Sequence, residues 1–154
     1  MSASAAASVE ATDAARELAR AVRRDVDAQL DLVLADVATW IAHESPTEHV
    51  ALVDVLARDI AARLHAYGLE VELVERAPGL HVHAVLHGAG RARVALLCHH
   101  DTVYPEGTVA ARPLVADGDV LRGPGVADMK GGVAVAAHVA RLLAHLPHAA
   151  RPFA

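Results

Sequence analysis

An unbroken apolar run at Val94–Cys98 is followed at once by the polar sequence His99-His100-Asp101, and this junction constrains the fold most. Five apolar residues without alternation are typical of a central β-strand that is buried on both faces. Helices are needed to cover the two faces of such a sheet. The chain is therefore predicted to be an α/β protein with polar groups at the carboxyl end of its central strand, where open α/β sheets usually bind ligands.

Hydrophobic periodicity predicts helices in the first half of the chain. Apolar residues recur at three- and four-residue spacing from Leu18 to Trp40, which indicates one long amphipathic helix or two helices with a break. The segment Ser45-Pro46-Thr47-Glu48 has the pattern of a capping box and predicts the start of the next helix. Gly68 is predicted to end that helix in a left-handed conformation. Its predicted buried face carries Val53, Leu56, Ile60, Leu64 and Tyr67.

Alternation of apolar and polar residues predicts two strands, at residues 69–73 and 80–85, and Asp117-Gly118 predicts a hairpin turn. A last helix is predicted from about Gly131, with its opposite face, including His138, in solvent. The apolar stripe of that helix consists of Val135, Val139, Leu142 and Leu146. Residues 1–12 are predicted to be a disordered lead, and residues 13–154 a single domain.

Composition excludes several classes of function. The net charge is −5 and no basic patch interleaved with aromatic residues occurs, which argues against nucleic-acid binding. The first nine residues lack the basic start and leucine-rich core of a secretory signal. No apolar run approaches the roughly 20 residues that span a bilayer. With a single cysteine, a reducing compartment is compatible, and a cytoplasmic protein without a membrane partner is predicted.

The residues after the central strand have the chemistry of half a metal site. His99 and Asp101 are two residues apart, so both side chains point to one face of a strand. An imidazole that binds zinc usually donates its second N–H to an oriented acceptor, and Asp101 is placed to be that acceptor. Asp128 lies in the glycine-rich turn Gly123–Gly132, where the backbone can bend sharply. We predict His99 and Asp128 as metal ligands and Asp101 as a supporting carboxylate.

Other interpretations stay open at this point. A His-x-Asp pair also occurs by chance as a surface ion pair. The Gly123-x-Gly125 sequence before a helix is compatible with a nucleotide-binding loop, but Asp128 stands where the fingerprint has its third glycine, and its charge would repel phosphate. A third possibility is a non-catalytic protein that associates through unpaired sheet edges.

Two signatures together resemble a known family. They are the segments Cys98–Tyr104 and Gly123–Gly132, and residues 44–47 and 68–71 also look like the beginning of that family. The chain resembles the zinc-dependent amidohydrolases that include bacterial glutamate carboxypeptidase, acetylornithine deacetylase, succinyl-diaminopimelate desuccinylase and aminoacylase. The resemblance implies a three-layer α/β/α domain with a mixed sheet, a site for two zinc ions, and small peptides or N-acyl amino acids as substrates.

Within that resemblance, each motif residue receives a role. His99 would ligate one zinc, Asp101 would support that histidine and the catalytic base, and Asp128 would bridge both ions, with a peptide bond to Met129 that is often cis. The family continues with a Glu-Glu pair, a further acid, a distant histidine and a lid domain, whereas this sequence has no Asp or Glu after Asp128. The resemblance therefore predicts a truncated N-terminal part without the lid, with weak or partial zinc binding and little or no activity alone.

Overall fold

The computed structural model describes residues 16–17, 19–20 and 22–154. The predicted lead at residues 1–12 and the apolar position Leu18 lie outside the described residues. Contacts divide the chain into two units, one up to Leu34 and one from Ala35 onward. Within the described residues, the chain has no helix with both the length and the apolarity to cross a membrane.

Of the two predicted alternatives, one long helix or two helices with a break, the described residues show the second. Residues 22–27 are helical, residues 28–29 form a turn, and helix α1 then runs over Leu30–Ala42 into the second unit. The apolar side chains at the start of the periodic pattern, Val22 and Val26, are exposed to solvent. Burial begins further along α1, at Val37, Trp40 and Ile41.

The core of the second unit lies between α1, helix α2 (Val50–Ala66) and a β-hairpin. Trp40 is fully buried, and its indole N–H donates a 2.8 Å hydrogen bond to Asp59 of α2. Leu56 and Ile60 of α2 are also buried, as their spacing predicts. Gly68 follows this helix with a φ of +89°, which confirms the predicted left-handed end.

Two antiparallel hairpins account for the four strands of the described chain. Strands β1 (Glu70–Arg76) and β2 (Gly79–Val85) pair in full register and pack against α2. After a short helix α3 (Thr108–Ala111), strands β3 (Val115–Asp117) and β4 (Val120–Arg122) form the hairpin that Asp117-Gly118 predicts. A kinked turn at Val126–Lys130, in which Asp128 and Met129 have non-helical backbone angles, leads into helix α4 (Gly131–Ala144), and a 3₁₀ turn at His148–Ala150 follows.

The mixture of helices and strands agrees with the predicted α/β class, but the predicted central strand is not formed. Residues 94–98 have no strand assignment, and 89 % of the Leu97 side-chain surface is exposed. No backbone hydrogen bond joins these residues to a neighbouring segment within the described chain. A strand that is apolar on both faces needs partners on both edges and cover on both sides. The three-layer arrangement with a mixed sheet stays a prediction.

The predicted start of α2 is also wrong. The helix begins at Val50, and its N-cap His49 makes no side-chain capping bond. Ser45 and Thr47 do not cap it, because their hydroxyl groups donate to His100 and Asp101 in the motif loop. The two hydroxyl groups that could have capped the helix thus bind residues more than fifty positions away in the sequence.

Helix α4 buries a different face from the one its apolar stripe predicts. Val135 and Val139 are exposed, whereas Val133, Ala134, Ala137 and His138 are buried. His138, which we expected in solvent, is only 4 % exposed because its Nε2 lies 2.9 Å from a carboxylate oxygen of the buried Asp36. A specific long-range partner outweighed the hydrophobic pattern.

Asp36 is the centre of a buried polar cluster that joins α1, α2 and α4. The Tyr67 hydroxyl donates to it over 2.5 Å, and Arg63 Nε lies 3.1 Å from its other oxygen. Burial and the neighbouring carboxylate raise the pKa of Tyr67 to about 12. Three elements distant in sequence therefore depend on one carboxylate.

This raised pKa predicts a loss of stability at high pH. The folded state favours protonated Tyr67, so the contribution is complete below the unfolded pKa near 10 and is lost as the pH rises toward 12. We expect the free energy of unfolding, measured in urea, to fall between about pH 10 and pH 12. Tyr67→Phe should lower the stability at pH 8 and lose most of this decline, whereas Tyr104→Phe should retain it. An unchanged decline in Tyr67→Phe would contradict the assignment.

Candidate metal centre

The structure brings together the three side chains that the motifs single out. His99 Nε2 lies 2.8 Å from Asp128 Oδ1, and His99 Nδ1 lies 3.1 Å from Asp101 Oδ1. The imidazole is thus placed between two carboxylates. Its Nε2 edge is the more accessible side, since 83 % of the Asp128 side-chain surface is exposed against 32 % for Asp101.

Asp128 reaches His99 from the kinked turn that precedes α4, where its own backbone is non-helical, with φ −135° and ψ 95°. The turn is entered at Gly125, whose φ of +75° is a conformation that L side chains rarely adopt. A Cβ atom at this position would lie 2.7 Å from Thr102 Cγ2, so the close approach of the two loops also requires glycine. The peptide bond from Asp128 to Met129 is cis, as the family resemblance implies.

The connection between α1 and α2 forms hydrogen bonds that fix the loops of both motifs, Cys98–Tyr104 and Gly123–Gly132. Glu44 accepts hydrogen bonds of 2.7 Å from the backbone N–H groups of Gly107 and Val109, beyond the first motif. Lys130, only 2 % exposed, donates a 2.6 Å hydrogen bond from Nζ to the carbonyl oxygen of His43. This lysine follows Asp128 by two residues, so the bond fixes the glycine-rich turn against the connection.

The same connection pairs directly with the segment that carries His99. The Thr47 N–H donates to the carbonyl of Thr102 over 2.9 Å, and the Thr102 N–H donates to Ser45 over 2.8 Å. The Ser45 hydroxyl donates to the carbonyl of His100, and the Thr47 hydroxyl donates to Asp101 Oδ2 over 2.6 Å. Sequence reasoning missed these residues because Ser45-Pro46-Thr47 also fits a helix start.

Electrostatics within the cluster follow from these contacts. The hydrogen bond with Asp128 raises the pKa of His99 above its ordinary value, contacts with Asp101 add to this, and partial burial opposes it. Burial alone would raise the pKa of Asp101, but hydrogen bonds from Thr47 and His99 outweigh it and lower that pKa. Burial lowers the pKa of Lys130 to about 8, against the attraction of Glu44.

The donor set fits part of a zinc site. Imidazole nitrogen and carboxylate oxygen are zinc ligands, and two donors of a tetrahedral zinc ion lie roughly 3.3 Å apart. The observed separation of 2.8 Å between His99 and Asp128 is slightly smaller, so a modest opening would admit the ion. Among the described residues, no three His, Cys, Asp or Glu side chains are grouped to hold a metal ion. The residues therefore fit a pair of ligands and not a complete site.

Comparisons with known proteins agree with the motifs. Residues 95–152 match peptidase family M20/M25/M40. Over 58 residues the chain is 45 % identical to carboxypeptidase G2 of Pseudomonas sp. (strain RS-16), a match that covers 38 % of this chain and 14 % of that protein. The matched segment contains His99, Asp101 and Asp128. Residues 95–152 are therefore similar to peptidase family M20/M25/M40, which confirms the resemblance that the two motifs indicate.

Proposed function

We propose that this chain supplies part of the metal site of a zinc-dependent enzyme that hydrolyses amide or peptide bonds. The observation that carries the proposal is the convergence of His99 and Asp128, which are 29 positions apart in sequence and 2.8 Å apart at their polar atoms. The family match and the carboxypeptidase relative support a peptidase-like hydrolase. Small peptides or N-acyl amino acids are the substrate class that we propose for the whole enzyme.

Each of the three residues has a proposed role. His99 ligates zinc through Nε2, and Asp128 offers two carboxylate oxygens that can bridge a pair of ions. Bound zinc supplies a Lewis acid that polarises a carbonyl group and lowers the pKa of water. Asp101 accepts the Nδ1–H of His99, which fixes the tautomer that leaves Nε2 free and makes that nitrogen a better ligand.

These 154 residues alone are proposed to bind zinc weakly and to hydrolyse little or no substrate. A zinc ion normally has about four ligands, and the described residues offer two. A positioned general base contributes roughly 10²–10⁴-fold to such reactions, and no carboxylate follows Asp128 in the sequence to serve as one. In this proposal, residues 13–154 form part of a three-layer catalytic domain.

The proposal is tested by locating bound zinc on the chain labelled with ¹³C and ¹⁵N. Long-range proton–nitrogen NMR spectra resolve the two ring nitrogens of each histidine. At pH 8, where His99 is more readily deprotonated than at lower pH, added zinc is expected to shift Nε2 of His99 and the carboxyl carbon of Asp128 together. The exposed His65 of α2 serves as the internal control and should not move. Zinc that shifts other histidines and leaves His99 unchanged would contradict the proposal.

A second candidate function is association between copies of the chain through residues 94–98. The observation that favours it is the exposure of Val94, Leu96 and Leu97 in a segment without a neighbouring strand among the described residues. Such a segment offers both unpaired backbone groups and apolar surface to another chain.

Light scattering after size-exclusion chromatography tests this association. The molar mass is expected to rise with protein concentration, and Leu97→Lys should reduce that rise, because a charge on the segment disfavours strand pairing. The matched control is Val55→Lys, which places the same charge on an exposed apolar position of α2. A parent chain that is monomeric at every concentration would exclude the second candidate.

A further inference from the structure

Thr47 occupies an unexpected position beside the candidate metal ligands. It comes from the connection between α1 and α2, more than fifty residues before Asp101 in the sequence, and it lies outside the segment that matches the peptidase family. Its hydroxyl is 2.6 Å from Asp101 Oδ2. The other oxygen of the same carboxylate, Oδ1, lies 3.1 Å from Nδ1 of His99. A hydrogen-bonded series thus runs from Thr47 through Asp101 and His99 to Asp128.

The direction of the Thr47 hydrogen bond follows from competition between two acceptors. The hydroxyl also lies 3.1 Å from the carbonyl oxygen of Thr102, but that oxygen already accepts the Thr47 backbone N–H over 2.9 Å. A hydroxyl has one proton to donate. A carboxylate at 2.6 Å is the stronger acceptor, since charge-assisted O–H···O bonds are the short ones, at about 2.5–2.7 Å. The hydroxyl therefore donates to Asp101.

The Thr47 hydroxyl is held in place by backbone contacts independent of its own hydrogen bond. Pro46 forms a parallel bridge with Thr102. The backbone N–H of Thr102 donates to Ser45, and its carbonyl accepts from the backbone N–H of Thr47. The buried Ser45 adds a bond from its hydroxyl to His100. The backbone that carries the Thr47 hydroxyl is thus fixed by the pairing of two segments. The partly exposed Asp101 carboxylate, in contrast, is held only by hydrogen bonds with side chains and with its own backbone.

We propose that Thr47 is a positioning residue, which holds Asp101 Oδ2 so that Oδ1 faces Nδ1 of His99 and Nε2 of His99 is directed at Asp128. Nδ1 of His99 has two acceptors at 3.1 Å, the Asp101 carboxylate and the Asp101 backbone carbonyl. Rotation of the Asp101 side chain away from His99 would remove the charged acceptor and leave only the carbonyl. The metal-binding nitrogen would then lose part of its basicity. The part of this inference that concerns zinc rests on the proposed function, but the hold of Thr47 on Asp101 does not.

The test compares three variants of the whole chain. Thr47→Val removes the hydroxyl and keeps the shape, Thr47→Ser keeps the hydroxyl, and Thr39→Val is the matched control. Thr39 is a half-buried residue of α1 whose hydroxyl donates to the carbonyl of Ala35 in the same helix. Three-bond couplings from the Asp101 carboxyl carbon to its backbone nitrogen and carbonyl carbon report the χ1 angle of Asp101 without any metal.

We expect couplings of a single rotamer in the parent, in Thr47→Ser and in Thr39→Val, and averaged couplings in Thr47→Val. Zinc affinity, measured by competition with a chromophoric chelator, should fall about 10–100-fold in Thr47→Val, the range typical for outer-shell partners of metal ligands. Thr47→Ser should stay close to the parent. These results require the hydroxyl itself and would not follow from a purely structural role of the segment.

Two outcomes would overturn the inference. One is an Asp101 rotamer and zinc affinity that are unchanged in Thr47→Val. The other is an equal loss in Thr47→Val and Thr47→Ser, which would assign the effect to packing of the methyl group. If the parent chain does not bind zinc, the proposed function fails, and the couplings alone still decide whether Thr47 positions Asp101.

Discussion

Replacing His99 by alanine is expected to weaken zinc binding by the chain more than about 100-fold, since loss of an outer-shell partner alone costs about 10–100-fold. His99 provides the nitrogen donor of the candidate centre, and Asp128 faces it at 2.8 Å. Without the imidazole, the exposed carboxylate of Asp128 would remain as a single ligand, which does not hold zinc against water. Competition with a chromophoric chelator at pH 8 measures the change.

His65→Ala is the control for the His99 variant. Both residues are histidines with solvent access, but His65 lies on α2 away from the motif loops. It should leave the affinity unchanged and thus account for nonspecific binding to the eleven histidines of the chain. Equal losses in both variants, or no loss in His99→Ala, would remove the basis of the metal assignment. Binding should also weaken as the pH falls below the raised pKa of His99, because protons compete for Nε2.

Asp36→Ala is expected to lower the free energy of unfolding by about 3–5 kcal/mol, as removal of one member of a buried ion pair does. The carboxylate accepts from Tyr67 and faces His138 and Arg63, and it is only 2 % exposed. His138 has no partner for Nδ1 among the described residues, so its remaining polar contacts lie at Nε2. Equilibrium denaturation in urea measures the loss, which is large against the 5–15 kcal/mol typical of a whole domain.

The control for Asp36 lies in the same helix. Asp31, in the first turn of α1, is exposed, and its replacement by alanine should change stability by no more than about 0.5 kcal/mol, as is usual at surface positions. A double change of Asp36 to leucine and His138 to leucine would distinguish the loss of a partner from the loss of volume. That variant should recover part of the stability, because the buried imidazole no longer loses its carboxylate partner, and the remaining deficit should reflect Tyr67 and Arg63, which still lose their contact with Asp36. A similar loss in Asp31→Ala and Asp36→Ala would contradict the central role of Asp36.

Local patterns in the sequence predicted strands β1 and β2, the Asp117-Gly118 turn and the buried face of α2. Alternation of charged and apolar residues in β1 and the Asp117-Gly118 turn are properties of neighbouring residues, so a single segment contains the whole signal. The buried face of α2 was predicted by the spacing of Leu56 and Ile60, which pack in the core beside Trp40. In these elements, the local preference and the tertiary environment agree.

Predictions were wrong where the structure depends on partners that are distant in the sequence. Helix α4 turns His138 inward because Asp36 lies 102 positions earlier in the sequence, and no periodicity within the helix contains that information. Thr47 is a second case. It lies in a sequence that is typical of a helix start, but its hydroxyl binds Asp101, 54 positions later in the sequence. The run at Val94–Cys98 has the composition of a buried strand, but burial also requires neighbouring strands, which the described residues do not place beside it.

The sequence predicted the three residues of the candidate site but not the residues that hold them in place. The two-residue spacing placed Asp101 beside His99, and the glycine-rich turn pointed to Asp128; the structure brings all three together. Lys130 is buried and donates to a carbonyl of the α1–α2 connection, a contact that no local pattern indicates. Supports of this kind follow from the fold alone.

The backbone geometry at Gly125 determines which substitutions the second motif can accept. Every other amino acid would have to adopt a left-handed backbone there and also displace the methyl group of Thr102. Gly118, in the hairpin turn, also has a positive φ, but an added Cβ would meet no atom within 4 Å. A deep mutational scan would therefore find position 125 intolerant of all replacements, and position 118 permissive for asparagine and aspartate, which visit the left-handed region most readily.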